Sequence, residues 1–379
     1  MTPRVLIVAG SDSGGGAGIQ ADIRTVTMLG GHAMTAIAAI TAQNTLGVQA
    51  IHAVPPEMVV AQMKSVIDDI GVDAVKIGMI GAAETAAAVA EVLEALPGVP
   101  IVFDPVMVAT SGAVLADAAT VDAFERLMRV ATLVTPNLPE AAALGGVEAI
   151  RAHGAAVLLK GGHDAGDVIA DTLIAADGTR QTWQAVRIET VHTHGTGCTL
   201  ASAIATGVAR GLPLAEAVAR ARLFVRIALR EAPGFGAGHG PMGHHRVRLD
   251  NDLGAPTPNQ ITLPATDHAA SFAFYRALGL TPIVDSDARY ARFESAGGTT
   301  LSIEAAAEVG GRAIVFIEVA DLDAAVAVAR AQGIEVADPV DQSWGWREAR
   351  LADPAGNALC LYSAGENRRF PPWRLTCPD

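Results

Sequence analysis

Val5-Leu-Ile-Val-Ala-Gly-Ser-Asp-Ser-Gly-Gly-Gly-Ala-Gly-Ile-Gln-Ala-Asp22, near the start of the chain, decides how the fold is read. Val5–Ala9 is a continuous aliphatic run, the pattern of a strand buried on both faces. It is too short for the apolar core of a signal peptide, and no small-residue cleavage site follows it. The Gly-rich run Gly10–Gly18 comes next and opens a helix that carries Asp22. Glycines there let the backbone turn sharply and approach a ligand, and a helix N-terminus presents unpaired N–H groups to an anion or polar ligand. The spacing is not the dinucleotide fingerprint and no lysine follows as in a P-loop, so a tight strand-to-helix turn explains this segment equally well by itself.

The same alternation continues downstream. Short aliphatic runs at Ala74–Ile77, Ile101–Phe103, Leu133–Val134 and Val157–Leu159 are separated by helical patterns, with candidates at Gly18–Met28, Glu57–Ile70, Glu84–Leu96, Val121–Val130 and Thr199–Arg210. Strands alternating with helices predict an α/β fold with a parallel sheet covered on both faces.

A length of 379 residues suggests roughly two to three domains. The apolar half of the composition is mostly aliphatic, since aromatic residues make only 4% and charged residues 18%, which excludes a disordered chain. Mean hydropathy is +0.33, yet no run reaches the roughly 18 apolar residues of a spanning helix. No basic amphipathic segment marks a membrane surface. The net charge of −13 argues against nucleic acid as a partner, because that affinity needs clustered Lys and Arg. Cys198, Cys360 and Cys377 lie far apart, without the spacing of a disulfide framework or zinc knuckle, and a reducing cytoplasm is expected.

Residues are distributed unevenly along the chain. Five of the sixteen aromatic residues lie in residues 1–250, whereas all three lysines, Lys64, Lys76 and Lys160, lie there. A polar stretch with two prolines, ending at Asn259, reads as a linker. The expected organisation is a first domain over 1–248, a linker over 249–259, a second domain over 260–364 and a C-terminal tail over 365–379. In the second domain the order is a strand at Gln260–Ala265, a helix at His268–Leu278, and strands near Thr281–Asp285, Tyr290–Ser295 and Thr300–Glu304. It then repeats with a strand at Ala313–Val319, a helix at Leu322–Gln332, and strands near Arg347–Ala352 and Ala358–Tyr362. This reads as an α+β domain of paired βαβββ units.

Three segments of the first domain carry chemistry. Thr193-His-Gly-Thr-Gly-Cys198 opens a small-residue helix, and Gly-Thr-Gly there makes a nest of backbone donors suited to charge developing on a phosphoryl group. Cys198 sits inside that positive end, where a helix N-terminus lowers a thiol pKa and makes it a candidate base or donor; a small buried core cysteine is the other reading. Lys160-Gly-Gly-His163 follows a strand and places a lysine to reach a nucleotide phosphate. Thr135-Pro-Asn-Leu-Pro-Glu140 follows another, and Asn137 with Glu140 could hold Mg²⁺ through water.

Together with Ile7–Asp22, Thr41-Ala-Gln-Asn-Thr45, Lys76-Ile-Gly-Met-Ile80 and Asp104-Pro-Val-Met107, these segments make the first 245 or so residues resemble the ribokinase-like superfamily. Within it they are most similar to the bacterial hydroxymethylpyrimidine/phosphomethylpyrimidine kinases of thiamine biosynthesis. The resemblance implies a three-layer α/β/α sandwich, ATP and Mg²⁺, and two successive phosphorylations, of the pyrimidine's hydroxymethyl group and then of the monophosphate. It implies that Asp22 and Gln43 hydrogen-bond the aminopyrimidine, with Gly10, Met79 and Val106 also at the substrate. A carboxylate and an amide can together satisfy an exocyclic amine and ring nitrogens. Gly195, Thr196 and Gly197 would form the anion hole, and Lys160 would meet ATP phosphates with Asn137, His194 and Thr196 on the nucleotide side. Asp104 and Glu140 would lie near the magnesium, Cys198 occupies the position where sugar kinases carry a catalytic Asp, and a homodimer is expected. The chain departs from the pattern at Gly145–Gly154, about a helix shorter on the nucleotide side, and at Gly238–His245, whose adjacent His244 and His245 do not suit one metal ion.

Gln260–Tyr362, with Phe272–Leu280 after its first strand and Asp353-Pro-Ala-Gly-Asn357 before its last, resembles the vicinal-oxygen-chelate or glyoxalase/bleomycin-resistance family. The ligand positions of its metal-dependent members hold Gln260, Glu304, Ile314 and Cys360 here, so no metal is expected in this domain. Trp344-Gly-Trp-Arg-Glu348 offers aromatic faces for a binding cleft or a dimer contact, or simply for a core. The whole reads as a pyrimidine kinase with a metal-free binding or pairing module. The alternatives are a pyridoxine- or pyridoxal-type vitamin kinase and a non-catalytic protein that sequesters a small ligand.

Overall fold

Val5, Leu6, Ile7 and Val8 are wholly buried, as a strand walled on both faces must be. The computed structural model describes residues 2–108, 112, 115–162, 166–247, 257–277, 280–295, 298–307, 313–352 and 358–375. It divides into two units, Met1–Val247 and Arg248–Asp379. The predicted linker over 249–259 falls outside the described residues up to 256, as do His163, the Asp353–Asn357 segment and Cys377.

In the first unit the strands are β1 (Arg4–Asp12), β2 (His32–Asn44), β3 (Gly47–Ala53), β4 (Ala74–Ile77), β5 (Ile101–Phe103), β6 (Leu133–Val134), β7 (Ala156–Leu159), β8 (Val168–Ile174) and β9 (Arg180–Val186). The helices are α1 (Gly18–Met28), α2 (Pro56–Asp69), α3 (Ala83–Glu94), α4 (Ala118–Val130), α5 (Leu138–Ala143), α6 (Val147–Arg151), α7 (Thr196–Ala209) and α8 (Leu214–Arg230). One nine-stranded sheet runs β3-β2-β1-β4-β5-β6-β7-β8-β9. Its centre, β2 to β7, is parallel, and antiparallel hairpins close both edges.

Side-chain alternation sends Leu6, Val8 and Phe103 to one face, where Val59 and Met63 of α2, Val89 and Leu93 of α3, and Phe124 and Leu127 of α4 cover them. Helices α1, α7 and α8 pack on the other face, so the unit is a three-layer α/β/α sandwich. The connection after β1 runs to β2 on one side, and the next crossover returns to β4 on the other. The carboxyl ends of β1 and β4 therefore flank a topological switch point, where open α/β sheets form their ligand crevice.

Alanine-rich β2 and the polar hairpin β8–β9 lack the continuous aliphatic runs that marked the other strands, and they emerge only in the structure. The segment 145–154 forms the short helix α6, which begins after Gly146 at φ 93°.

The second unit holds β10 (Thr257–Ala265), α9 (His268–Ala277), β11 (Thr281–Ser286), β12 (Tyr290–Glu294), β13 (Thr300–Ala305), β14 (Ile314–Glu318), α10 (Leu322–Ala331), β15 (Val340–Asp341), β16 (Arg347–Ala352) and β17 (Ala358–Ser363). The two βαβββ units join through antiparallel β10 and β14 into one sheet, β11-β12-β13-β10-β14-β17-β16-β15. Sequence periodicity misses β15, whose two residues are too few to show a pattern. The expected tail is part of the fold: a 3₁₀ turn at Gly365–Arg368 brings Arg368 and Arg369 into buried positions against the sheet.

Phe103 is wholly buried and meets Phe124 edge-on with ring centroids 5.1 Å apart. Phe103→Ala should lower the stability of the first unit by about 3–5 kcal/mol, read from the shift of its urea midpoint, because the cavity opens at the centre of the sheet. A midpoint within experimental error of the wild type would show that this layer does not hold the unit together.

Candidate active site

The Gly-rich loop is organised from within. Asp12, at the end of β1, accepts a hydrogen bond from the Gly14 amide at Oδ1 (2.8 Å), and from the Gly16 (2.9 Å) and Ala17 (2.8 Å) amides at Oδ2. His194 Nε2 lies 3.0 Å from the same Oδ2 and 2.9 Å from Gln43 Nε2. Burial works to raise the Asp12 pKa, but His194 and the loop amides outweigh it and hold the carboxyl below its ordinary range. The loop amides expected to face an external anion are therefore occupied by this chain's own carboxylate. The loop acts as a fixed wall, with its close approaches made by glycine: a Cβ at Gly10 would sit 2.7 Å from Met79 Sδ, and one at Gly195 only 2.0 Å from the Gly16 carbonyl oxygen.

That second contact seats the start of α7. Gly195 is its N-cap residue at φ 85° and no side chain caps the helix, which leaves first-turn amides of the Gly-Thr-Gly-Cys segment without an intrahelical partner. A Cβ at Gly197 would lie 3.2 Å from Asp104 Oδ2 and 3.5 Å from Lys160 Nζ. Lys160, at the end of β7, donates to Asp104 Oδ1 at 2.7 Å and lies 3.7 Å from Glu140 Oε2. Thr135 also donates to Asp104 Oδ1 (2.9 Å). Burial opposes the charge on Lys160, yet the two carboxylates raise its pKa above the ordinary value, so it stays a cation. The ends of β5 and β7 and the short helix α5 thus deliver one cation and two carboxylates to the N-terminus of a helix. Two carboxylate oxygens of this kind suit Mg²⁺, which keeps several waters and takes substrate phosphates.

Asp22 and Lys76 form a second, wholly buried ion pair at 2.7 Å, and Ser202 of α7 donates to the other Asp22 oxygen at 2.7 Å. Each Asp22 oxygen thus has one internal partner, so the carboxylate that the resemblance places at an aminopyrimidine is here oriented by Lys76 and Ser202. Burial disfavours the Lys76 ammonium, but Asp22 more than compensates and its pKa is raised. Cys198 is half-buried. Burial pushes its thiol up to about 11, with Asp22 and Asp104 adding to the shift against Lys76 and the Gly18 amide. The helix N-terminus does not lower it, as its position alone suggested, because desolvation and two carboxylates act together against the thiolate.

Of the remaining expected residues, Asn137 and Glu140 form a reciprocal capping box on α5, each accepting from the other's amide at 2.8 Å. The Asn137 side chain is thus spent on the helix. Met79 packs over Gly10, while Val106 is half-buried just past Asp104. Gln43 joins Asp12 through His194. His244 is buried against Phe224, its Nε2 lies 2.8 Å from Thr199 Oγ1, and burial lowers its pKa to about 4. It fastens the end of the unit to α7.

Sequence reasoning missed Asp12, Lys76, Ser202 and Thr135 as a network. An Asp followed by three glycines could have been read as a loop-closing acceptor. In the second unit, Gln260 accepts from Thr300 (2.8 Å), Glu304 is exposed, Ile314 is half-buried, and Cys360 is directed at Glu348 Oε2 (3.7 Å) with its thiol pushed up to about 12 by burial. Among the described residues no three His, Cys, Asp or Glu side chains are grouped as a metal site. No helix among them is long and apolar enough to cross a membrane.

The profile of the family described as Phosphomethylpyrimidine kinase matches residues 12–243, and that of the Glyoxalase-like domain matches residues 260–362. The Geobacter sulfurreducens thiamine biosynthesis bifunctional protein ThiED is 50% identical over 256 residues, covering 63% of this chain and 52% of that protein, so the chain matches about half of its length. The hydroxymethylpyrimidine/phosphomethylpyrimidine kinase of Streptomyces coelicolor is 48% identical over 257 residues, covering 64% of this chain and 94% of its own. Among solved structures, Bacillus subtilis pyridoxal kinase in its ADP complex superposes with a TM-score of 0.60 at 31% identity, over 66% of this chain and 100% of that one. The fold is ribokinase-like.

Two outcomes test the electrostatics. Lys76→Met strands a buried carboxylate and should destabilise the unit by about 3–5 kcal/mol in urea melts, whereas Lys76→Met with Asp22→Asn should recover most of that loss. Full destabilisation in the double variant would assign the loss to packing. A thiol with a pKa near 11 is about 0.1% thiolate at pH 8, against roughly a quarter for an ordinary cysteine. Iodoacetamide labelling of Cys198, followed by peptide mass mapping, should accordingly be slow at pH 8 and accelerate about tenfold per pH unit up to pH 10. A plateau below pH 9 would refute the raised pKa.

Proposed function

The chain belongs to the phosphomethylpyrimidine kinase family, and on that premise we propose that it transfers the γ-phosphoryl group of ATP to 4-amino-5-hydroxymethyl-2-methylpyrimidine and then to the resulting monophosphate. The observation that carries this reading is the meeting of Lys160, Asp104 and Glu140 with Gly197 at the uncapped start of α7. A fixed cation and free helix-start amides stabilise negative charge on a transferring phosphoryl group. A solved Staphylococcus aureus pyridoxal kinase that binds AMP-PCP and pyridoxal, similar with a TM-score of 0.58 at 31% identity, supports ATP as the donor.

Asp104 and Glu140 would hold Mg²⁺, which when bound neutralises phosphate charge beside Lys160. Lys160, held between the two carboxylates, would swing its charge toward the nucleotide phosphates. Cys198 faces the same end of α7 as a neutral thiol, so it would position the substrate hydroxyl as a weak hydrogen-bonding partner, the hydroxyl proton passing late in transfer to an oxygen of the transferred phosphoryl group. That suffices where the transition state is loose and little base strength is required. Gln43, linked to Asp12 through His194, would read the pyrimidine from the side of the Gly-rich loop. We further read the protein as a cytoplasmic homodimer, consistent with the free thiols at Cys198 and Cys360. Light scattering at twice the 38.8 kDa chain mass checks the dimer.

A coupled ADP-release assay with Mg²⁺ tests the whole reading: the hydroxymethylpyrimidine and its monophosphate should both be turned over, and faster than pyridoxine. Preference for pyridoxine would move the chain to the vitamin-kinase alternative, and no turnover of any of the three by folded protein would overturn the kinase. Cys198→Ala should lower kcat by about 10²-fold with a much smaller change in KM, because the substrate hydroxyl loses the group that positions it. Unchanged kcat would return Cys198 to a packing role. Gln43→Leu should weaken the aminopyrimidine reaction more than any residual pyridoxine reaction, since it removes a hydrogen-bonding amide and keeps the volume.

A further inference from the structure

The sheet of the second unit has one face under its helices and one face without them. Phe272 and Tyr275 of α9 pack against Ala291 and Phe293, and Leu322 and Val326 of α10 against Ala349 and Leu361. Arg292 lies between Ala291 and Phe293 on β12, so alternation turns it to the opposite face. There it is only 4% exposed. Its guanidinium carbon stands 4.8 Å from the ring centroid of Trp346, which stacks on Tyr362 at 4.6 Å, with Phe316 edge-on to both.

Arg292 makes no hydrogen bond or ion pair with any described residue, and its Nε is buried without a partner. Of the carboxylates on this face, Glu294 is engaged with Arg369 and Arg374 (3.4 Å), Glu318 with Arg368 (3.3 Å) and Glu348 with Arg350 (2.7 Å), while Glu304, opposite Tyr290, stands exposed. The Trp346 ring covers one face of the guanidinium, but the N–H donors lie in its plane, and the one on Nε is buried without a partner. An arginine cannot shed its proton, and a buried unpaired charge is strongly disfavoured. Neutral hydroxyls flank it. Ser302 is its cross-strand partner, Thr262 pairs with Ser302 on the next strand, and the Tyr290 hydroxyl lies 2.8 Å from Ser302 Oγ.

We propose that this face binds the oxyanion group of a small molecule, a carboxylate or a phosphate, with Arg292 as the anchoring cation and Tyr290, Ser302 and Thr262 as neutral hydrogen-bonding partners. A planar fork of donors matches the two oxygens of either group, and the surrounding aromatic residues exclude the water that would otherwise compete. The site uses a fixed side-chain charge and needs no metal ion. It stands apart from the kinase chemistry and does not depend on that reading.

The test uses the full chain carrying Trp183→Phe, so that tryptophan emission comes from Trp344, Trp346 and Trp373 of the second unit. Sodium phosphate and sodium acetate are titrated separately at constant ionic strength. The expected result is a saturable change in emission with at least one of them, lost in Arg292→Met and weakened by about tenfold or more in Arg292→Lys, which keeps the charge but not the fork. The ratio of the two midpoints assigns the group as phosphate or carboxylate. No saturable change with either anion, or an unaltered midpoint in Arg292→Met, overturns the proposal. Should Arg292→Met fail to fold, an unaltered midpoint in Arg292→Lys overturns it equally.

Discussion

The first unit depends on the carboxylate of Asp12. It stands where β1 ends and the Gly-rich loop begins, and its two oxygens gather the amides of Gly14, Gly16 and Ala17 together with the ring of His194. One short side chain therefore fixes the turn into α1 and fastens it to the segment that starts α7. The closeness of Gly16 to Gly195 is possible only because Gly195 lacks a Cβ, and a Cβ at Gly16 would meet the His194 ring. With the loop and the helix start locked together, the strand ends that carry Asp104 and Lys160 meet a surface already shaped. The arrangement exchanges ligand-facing amides for internal order, so electrostatic work falls on α7 and not on the Gly-rich loop.

A second consequence is a division of labour between two buried ion pairs. Asp22–Lys76 is sealed and acts as structure, joining α1 to β4 and, through Ser202, to α7. Lys160–Asp104 sits at the helix start with the lysine side chain 14% exposed, and its partner Glu140 is shared with the cap of α5. Burial is what separates them: Asp22 and Lys76 are wholly enclosed, whereas Lys160 keeps some exposure. The first pair joins a helix to the body of a strand, whereas Asp104 and Lys160 stand just past the ends of β5 and β7.

The parallel core was legible in sequence because strands buried on both faces must be aliphatic throughout, and β4, β5 and β6 fall on the residues that their runs mark. The clustering of Lys160, Asp104 and the Gly-Thr-Gly-Cys segment was also legible, since each follows a strand or opens a helix at the same end of the sheet. Other features had no local signature. Asp22 and Lys76 are 54 residues apart and Glu294 and Arg369 are 75 apart, so nothing in either neighbourhood announces the partner. The pKa of Cys198 was misjudged for a related reason: the helix start is visible in sequence, but the desolvation and the two distant carboxylates that overrule it are not. In the second unit, the arginines of 365–375 read as a polar tail because the carboxylates they join lie far upstream.

The bond between His194 and Asp12 spans 182 residues, and His244 reaches back to Thr199 from still further along the chain. Synthesis runs in one direction, at about 5–20 residues per second. The central strand β1 leaves the ribosome first, while the helix that completes its Gly-rich loop follows about ten to forty seconds later. Through that interval the nascent sheet holds its most apolar strand with α7 and α8 still lacking from one covering layer. The loop carboxylate is meanwhile bonded only to its own backbone. A fold whose catalytic end is closed by its last helices must therefore survive most of its own translation with its centre open, which makes the early, locally capped loop at Gly14–Gly18 a feature of assembly as much as of the finished protein.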